Sequence, residues 1–259
     1  MITFTSDFGL KDPYVAEMKG VILTINPKAV LIDITHQIKK FNVRAAAFAL
    51  ASAVPYFPEG TVHLAVVDPG VGTDRRAIVI QTKKDCFVGP DNGVLVLACR
   101  NQIIQHIYNL TNPKFMLPKV SGTFHGRDIF APAAAYLDRG VMPADFGPEI
   151  DDPVTLKFAK VKISSGSLIG EVLDVDGFGN IITNITERDV AHMEGKTLSL
   201  ELASAKLEIP LGKTYASTKP KEPLLLIGSH GFLELALNQA SAAEKFRKKV
   251  GDKIKVSVA

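Results

Sequence analysis

The chain has 259 residues, 46% of them hydrophobic and 22% charged, with a formal net charge of +3. That is the composition of a globular, soluble protein of one large or two modest domains. So small an excess of scattered Lys and Arg argues against a nucleic-acid partner, and the longest apolar run, Ala45 to Val54, falls short of the roughly 18 residues of a membrane span.

Met1 is followed at once by the strand-like Ile2 to Thr5, with no charged-then-apolar leader, so no signal peptide is expected. This first strand ends on Ser6-Asp7-Phe8-Gly9, which places a carboxylate at a strand end. Asp12-Pro13 then opens a helix, with Asp12 as the N-cap and Pro13 at the first helical position. Val15, Met18, Ile22 and Ile25 give that helix one apolar face. Val30 to Ile34 is a second strand. Asn42 caps the next helix, which Pro55 and Pro58 end.

Val62 to Val67 is a third strand and runs into Asp68-Pro69-Gly70-Val71-Gly72, a sharp turn. Asp74-Arg75-Arg76 then brings guanidinium groups back toward Asp68. Two readings of Asp68 stand at this point: a cap on a solvated turn, or one half of a polar reaction centre on a rigid scaffold. The order strand, helix, strand, helix, strand with short connections predicts an α/β N-terminal domain with a mostly parallel central sheet. Ligands of such sheets bind off the carboxyl ends of the strands, where Asp7, Asp33 and Asp68 stand.

Ala77 to Ile80 and Cys86 to Val88 read as further strands, and Gly89-Pro90-Asp91-Asn92-Gly93 as a turn. Val94 to Cys99 reads as a short helix and Ile103 to Tyr108 as a strand. Phe124-His125-Gly126-Arg127-Asp128 precedes an Ala-rich helix, Ile129 to Leu137, with Asp128 as its cap. Cys86 and Cys99 lack metal-type or redox-type spacing and read as buried thiols of a cytoplasmic protein. Pro143 to Pro153 has the composition of a linker and divides a domain of residues 1–150 from one of residues 151–259. In the second, short strand-like runs separated by polar or glycine turns predict a smaller all-β barrel or sandwich. Gly228-Ser229-His230-Gly231 is expected to open a helix, Phe232 to Ala240, before a last strand at Lys253 to Val258.

No metal site is expected: His125 and Asp128 are three apart, and no second His–carboxylate pair lies nearby. Neither a dinucleotide fingerprint, a Walker loop nor a Gly-x-Ser-x-Gly elbow occurs.

Six motifs occur in register: Thr5-Ser6-Asp7-Phe8-Gly9, Val67-Asp68-Pro69-Gly70-Val71-Gly72-Thr73, Gly89-Pro90-Asp91-Asn92-Gly93, Phe124-His125-Gly126-Arg127-Asp128-Ile129-Phe130-Ala131-Pro132, Phe178-Gly179-Asn180 and Gly228-Ser229-His230-Gly231-Phe232. With them the chain resembles, over nearly its whole length, the S-adenosyl-L-methionine (SAM) hydroxide adenosyltransferases, relatives of the fluorinase and chlorinase. The resemblance implies a metal-independent, cofactor-free hydrolase that converts SAM to adenosine and L-methionine. The family's water-binding Asp, Arg and His fall on Asp68, Arg75 and His125. Its halogenating relatives carry a tyrosine at the position of Asp68 and lack the histidine, so the pattern is that of the hydrolase branch.

The resemblance further implies that Asp7 takes the ribose hydroxyls, Asn180 reads adenine, Ser229 and His230 grip the methionine carboxylate, and Asp176 holds its amino group. Tyr215 is a candidate for stacking on the base. It also implies a homotrimer, each site lying between the first domain of one subunit and the second domain of its neighbour. The chemistry is consistent with these residues. A sulfonium leaves as neutral methionine, so no general acid is required, only an aligned oxygen nucleophile opposite the sulfur. Arg75 beside Asp68 weakens that carboxylate as a base, which favours Asp68 and Arg75 as water positioners and makes His125 a candidate proton acceptor, with the choice between Asp68 and His125 open. A SAM-binding sensor without turnover and a halide-dependent adenosyl transferase are the alternatives.

Overall fold

The computed structural model describes residues 1–99, 102–157, 160–164, 166–193, 196–202 and 205–259. They form two compact units, Met1–Leu156 and Lys157–Ala259. The first is built on strands β1 (Ile2–Ser6), β2 (Leu31–Thr35), β3 (Val62–Val66), β4 (Ala77–Thr82), β5 (Cys86–Pro90) and β6 (Ile104–Asn109). They lie in one sheet in the order β2-β1-β3-β5-β4-β6.

The pairings among β2, β1, β3 and β5 are parallel; β4 pairs antiparallel with both β5 and β6. The sheet is therefore mixed. Only three residues join β4 to β5, too few for a parallel crossover, so that pair must be a hairpin.

Helices α1 (Tyr14–Ile25), α2 (Val43–Ala53), α3 (Val96–Cys99) and α4 (Ala131–Asp138) complete the unit. Strand alternation sorts the core onto both faces of the sheet. Val62, Leu64 and Val66 pack in one cluster with Met18 and Ile22 of α1 and Ala134 of α4. Ala65 and Val67 pack in another with Ala46 and Leu50 of α2 and Cys99 of α3.

Asn42 caps α2 as expected, its Oδ1 accepting the Ala45 N–H at 3.1 Å. Two expected caps are not formed. Pro13 itself occupies the N-cap of α1 without a side-chain hydrogen bond, and its carbonyl accepts the Glu17 N–H, so Asp12 stands one residue outside. Asp128 is not at the start of α4 but inside a wide helical turn, Gly126–Phe130, that leads into it. Its buried carboxylate accepts instead from the Ser121 N–H at 2.8 Å and from Arg127 Nε at 2.7 Å.

The second unit is an antiparallel sheet of β7 (Lys162–Ser164), β8 (Ser167–Val175), β9 (Ile181–Thr186), β10 (Thr197–Leu202), β11 (Ala205–Pro210), β12 (Pro223–Ile227), β13 (Phe232–Leu237) and β14 (Lys253–Val258). The order is β11-β10-β14-β8-β9-β13-β12, with β7 on β8. A single bridge between Leu211 and Leu225 nearly closes it on itself.

Residues Phe232–Leu237, expected as helix, are strand. Leu233, Leu235 and Leu237 recur at period two and all enter the core of this unit. The Leu-rich run satisfies both periods, and the Gly228–Gly231 turn decides between them. Gly231, at φ +75°, donates to Gly228 O at 2.9 Å, and Gly228 N–H to Phe232 O at 2.9 Å, so the chain reverses into a hairpin. Among the described residues no helix is long and apolar enough to cross a membrane.

Candidate active site

Asp7 and Asp68 leave the sheet at the same edge. Parallel pairing sets Ser6 of β1 opposite Val66 of β3, so the residues that follow both strands emerge side by side at their carboxyl ends. After Asp68 the chain turns tightly, with Val71 N–H on Asp68 O at 3.3 Å and Thr73 Oγ1 on Gly70 O at 2.7 Å.

The turn returns Arg75 onto Asp68. Arg75 Nε lies 3.0 Å from each carboxylate oxygen, and Nη2 lies 2.5 Å from Oδ2. The same Nη2 lies 2.9 Å from His125 Nδ1. The guanidinium also sits 5.1 Å from the ring centre of Phe130. Asp68, Arg75 and His125 are thus one connected group, with Arg75 at its centre.

Gly72 explains why His125 is within reach. At φ +76° it passes so close to the 119–124 loop that a Cβ there would lie 2.2 Å from Gly122 O. Asp128 closes that loop from the other side through Ser121, and His125 follows directly. Arg76, by contrast, faces away: its Nε donates to Asp91 at 2.8 Å and its Nη1 to Asp152 at 2.6 Å.

Electrostatics favour the neutral imidazole. Burial lowers the His125 pKa from 6.5, and Arg75 pushes the same way against smaller opposing pulls from Asp68 and Asp128. An arginine N–H can only donate, so His125 Nδ1 must accept, and the ring proton of the neutral form sits on Nε2.

Asp7 is buried, and its Oδ2 accepts the Phe41 N–H at 2.8 Å. Lys40 Nζ donates to the Asp7 carbonyl. Among the described residues the carboxylate's Oδ1 accepts no hydrogen bond and remains for a ligand. The rings of Phe8, Tyr14 and Phe124 pack against one another in tilted and T-shaped pairs with centroids 5.1 to 5.7 Å apart. They link the segment beside Asp7 to the segment beside His125. This aromatic wall is absent from the residues singled out above; its signal is that Phe8 and Phe124 each adjoin a polar site residue.

In the second unit the remaining candidates fall into two places. The Asp176–Asn180 turn joins β8 to β9 and borders a cleft of about 590 Å³ shared with Tyr215 and residues 237–241. Gly179, at φ +81°, lets the turn pack on Ser241, where a Cβ would lie 2.1 Å from the hydroxyl.

Asp176 is committed within its own turn: Oδ1 accepts Phe178 N–H at 2.9 Å and Asn180 N–H at 2.8 Å, and Oδ2 accepts from Asn180 Nδ2 at 2.9 Å. The Tyr215 hydroxyl lies 3.5 Å from Asn180 Nδ2 and donates to Glu234 Oε2 at 3.1 Å. Burial, then the Glu234 charge, pushes the Tyr215 phenol up to about 12, and burial raises the Glu234 carboxyl as well. Glu234 joins this group through Tyr215, and the chain alone did not reveal it, because it sits mid-strand in an apolar run.

Ser229 and His230 are exposed on the β12–β13 turn and do not border that cleft. The turn abuts Glu234 from behind, since a Cβ on Gly228 would lie 1.7 Å from its Oε1. The segment that follows is strand, so the helix-start amides expected beside Ser229 do not exist. Among the described residues no group of three or more His, Cys, Asp or Glu could hold a metal ion.

The first unit matches the family described as SAM hydroxide adenosyltransferase N-terminal domain over residues 2–147, and residues 170–255 match the corresponding C-terminal domain. The chain is 40% identical to the (R)-S-adenosyl-L-methionine hydrolase of Thermus thermophilus, with 96% of each chain covered. It is 39% identical to the hydrolase of the same name from Salinispora arenicola, covering 99% of this chain and 97% of that one. A fluorinase from Actinoplanes is 28% identical, covering 100% and 98%. The crystal structure of a conserved protein from Thermotoga maritima superposes with a TM-score of 0.95 at 39% identity, covering 99% of this chain and 100% of that one.

Proposed function

The chain belongs to the SAM hydroxide adenosyltransferase family, and from that premise we infer that it is a hydrolase that cleaves SAM, in the (R)-sulfonium form named for its relatives, into adenosine and L-methionine. A water oxygen forms the bond to the ribose C5′ while the C5′–S bond breaks. Its electron pair goes to sulfur, methionine departs neutral, and one proton must leave the water.

The observation that carries the reading is the Arg75 bridge between Asp68 and His125. Each carboxylate oxygen has two lone-pair sites, so Asp68 keeps acceptor capacity for a water after binding Arg75. His125 presents an N–H from Nε2. A water held between them is oriented by an acceptor and a donor at once, which fixes the lone pair aimed at carbon. Because His125 Nδ1 is occupied by Arg75, Asp68 is the group left to take the proton. This reading takes Asp68 over His125, the two acceptors the sequence leaves open.

Asp7, with Oδ1 uncommitted, takes the ribose hydroxyls, and Asn180 faces the base in the cleft beside Tyr215. Ser229 and His230 meet the methionine carboxylate. The two sets complete one site between neighbouring subunits of a homotrimer. The unpaired Cys86 and Cys99, whose thiols burial pushes up, accord with a cytoplasmic setting.

Incubation with SAM, with and without chloride, followed by chromatography tests the function. Adenosine in both arms is expected, carrying oxygen-18 at the 5′ hydroxyl when the solvent is labelled water. Bound SAM without products would make the protein a sensor, and chlorinated adenosine would make it a halogenating enzyme.

A further inference from the structure

The cleft of the second unit presents the Asn180 carbonyl to its ligand. The Asn180 amide nitrogen is held inside the protein by Asp176 Oδ2 at 2.9 Å, with the Tyr215 hydroxyl 3.5 Å away and itself donating to Glu234 at 3.1 Å. The orientation follows from chemistry: a carboxylate oxygen accepts, so the amide nitrogen, and not its oxygen, faces Asp176. Asp176 cannot turn aside, because its other oxygen holds two backbone N–H groups of the turn. Among the described residues Asn180 Oδ1 accepts no hydrogen bond, and Asn180 borders the cleft.

We propose that Asp176 is a positioning residue, backed by Tyr215 and Glu234, that locks Asn180 with its carbonyl toward the base, so that the site selects 6-aminopurine nucleosides and rejects 6-oxopurines. This rests on the reading that Asn180 faces the base of SAM. It moves Asp176 from the methionine amino group to the base. An exocyclic amino group donates to Oδ1. A 6-oxo group sets acceptor against acceptor and leaves both unpaired in a partly desolvated cleft.

The test measures binding of adenosine and inosine to the full chain by calorimetry. The wild type is expected to favour adenosine by about tenfold or more. In Asp176→Asn the new side chain keeps the two turn bonds through its oxygen and turns an N–H toward residue 180. The Asn180 amide then flips to accept it and presents its own N–H to the base. The preference is expected to invert, inosine binding more tightly than adenosine, a result that mere loosening of the turn would not give. Asn180→Ala is expected to bring the ratio to about one, and it carries the test if Asp176→Asn does not fold.

A wild type that binds both nucleosides equally overturns the proposal while leaving the hydrolase reading standing. So does an Asp176→Asn variant that still favours adenosine, or a preference that survives Asn180→Ala. A protein that binds no adenosine, even in the presence of methionine, sinks the hydrolase reading itself and the proposal with it.

Discussion

Arg75 Nη2 donates to His125 Nδ1 at 2.9 Å while the same guanidinium grips Asp68 through Nε. One side chain therefore sets both the position of the carboxylate and the tautomer of the imidazole. A lysine has a single charged nitrogen and no planar fork with which to do both.

Arg75→Lys is accordingly expected to lower kcat by about 100-fold or more, the scale of losing one preorganised donor. The KM for SAM should change little, because Arg75 is assigned to the water. Steady-state kinetics on purified variant and wild type check this, and a defect confined to KM would contradict the assignment.

Asp68→Asn keeps the shape of the side chain but removes its negative charge and its capacity to take a proton. A fall in kcat of about 10²-fold to 10⁴-fold is expected, the range of general-base contributions. Single-turnover measurements separate this from slowed product release. Near-normal turnover would return the proton acceptor to solvent.

Activity should decline in acid as His125 protonates, since a proton on Nδ1 displaces the Arg75 contact. The midpoint is expected below 6.5, because burial and then Arg75 hold the ring below its ordinary value. The same depression bears on stability. Between the unfolded and folded values the unfolded chain binds more protons, so this group's contribution weakens as pH falls through that window. In His125→Gln, whose amide oxygen can still accept from Arg75, the acid limb of the pH–rate profile should flatten. A profile identical to that of the wild type would exclude His125 as the titrating group.

Gly72→Ala places a methyl group 2.2 Å from Gly122 O at a φ of +76°. The two loops must part, at a cost of about 2 kcal/mol in stability. Because His125 rides on the second loop, kcat should fall along with the melting temperature. Gly60→Ala serves as a control: its φ is +84° but nothing lies within 4 Å of its Cβ. It should cost stability through strain alone and leave kcat unchanged.

The strands of the first unit, and Asp7 and Asp68 just beyond β1 and β3, were legible because an apolar run followed by a polar break is a local signal; Asp33, expected at a strand end, instead lies in the middle of β2 and pairs with Lys19 at 2.7 Å. The convergence of Asp68, Arg75 and His125 was not: 50 residues separate Arg75 from His125, and only the motif order suggested their meeting. The 232–240 run misled because Leu233, Ala236, Leu237 and Ala240 recur at helical spacing while Leu233, Leu235 and Leu237 recur at period two, and the hydrogen bonds of the preceding turn decided for strand. Asp128 was legible as important but not as the group that closes the His125 loop. Glu234 was invisible, since a lone acid inside a strand resembles any solvent-facing residue until its neighbours are in place.

Arg75 and Arg76 are adjacent and opposed: one closes on Asp68, the other ties Asp91 to Asp152. Their division of labour is a matter of parity, because neighbours in an extended segment leave the backbone in opposite directions. The pairing of β4 with β5 and β6 fixes which of the two points each way, so a one-residue deletion between Pro69 and Asp74 leaves that parity intact and shortens only the reach of the turn. Arg76 would keep its two carboxylates while Arg75 lost its span back to Asp68. An indel in this turn should therefore disable the protein even where both arginines survive.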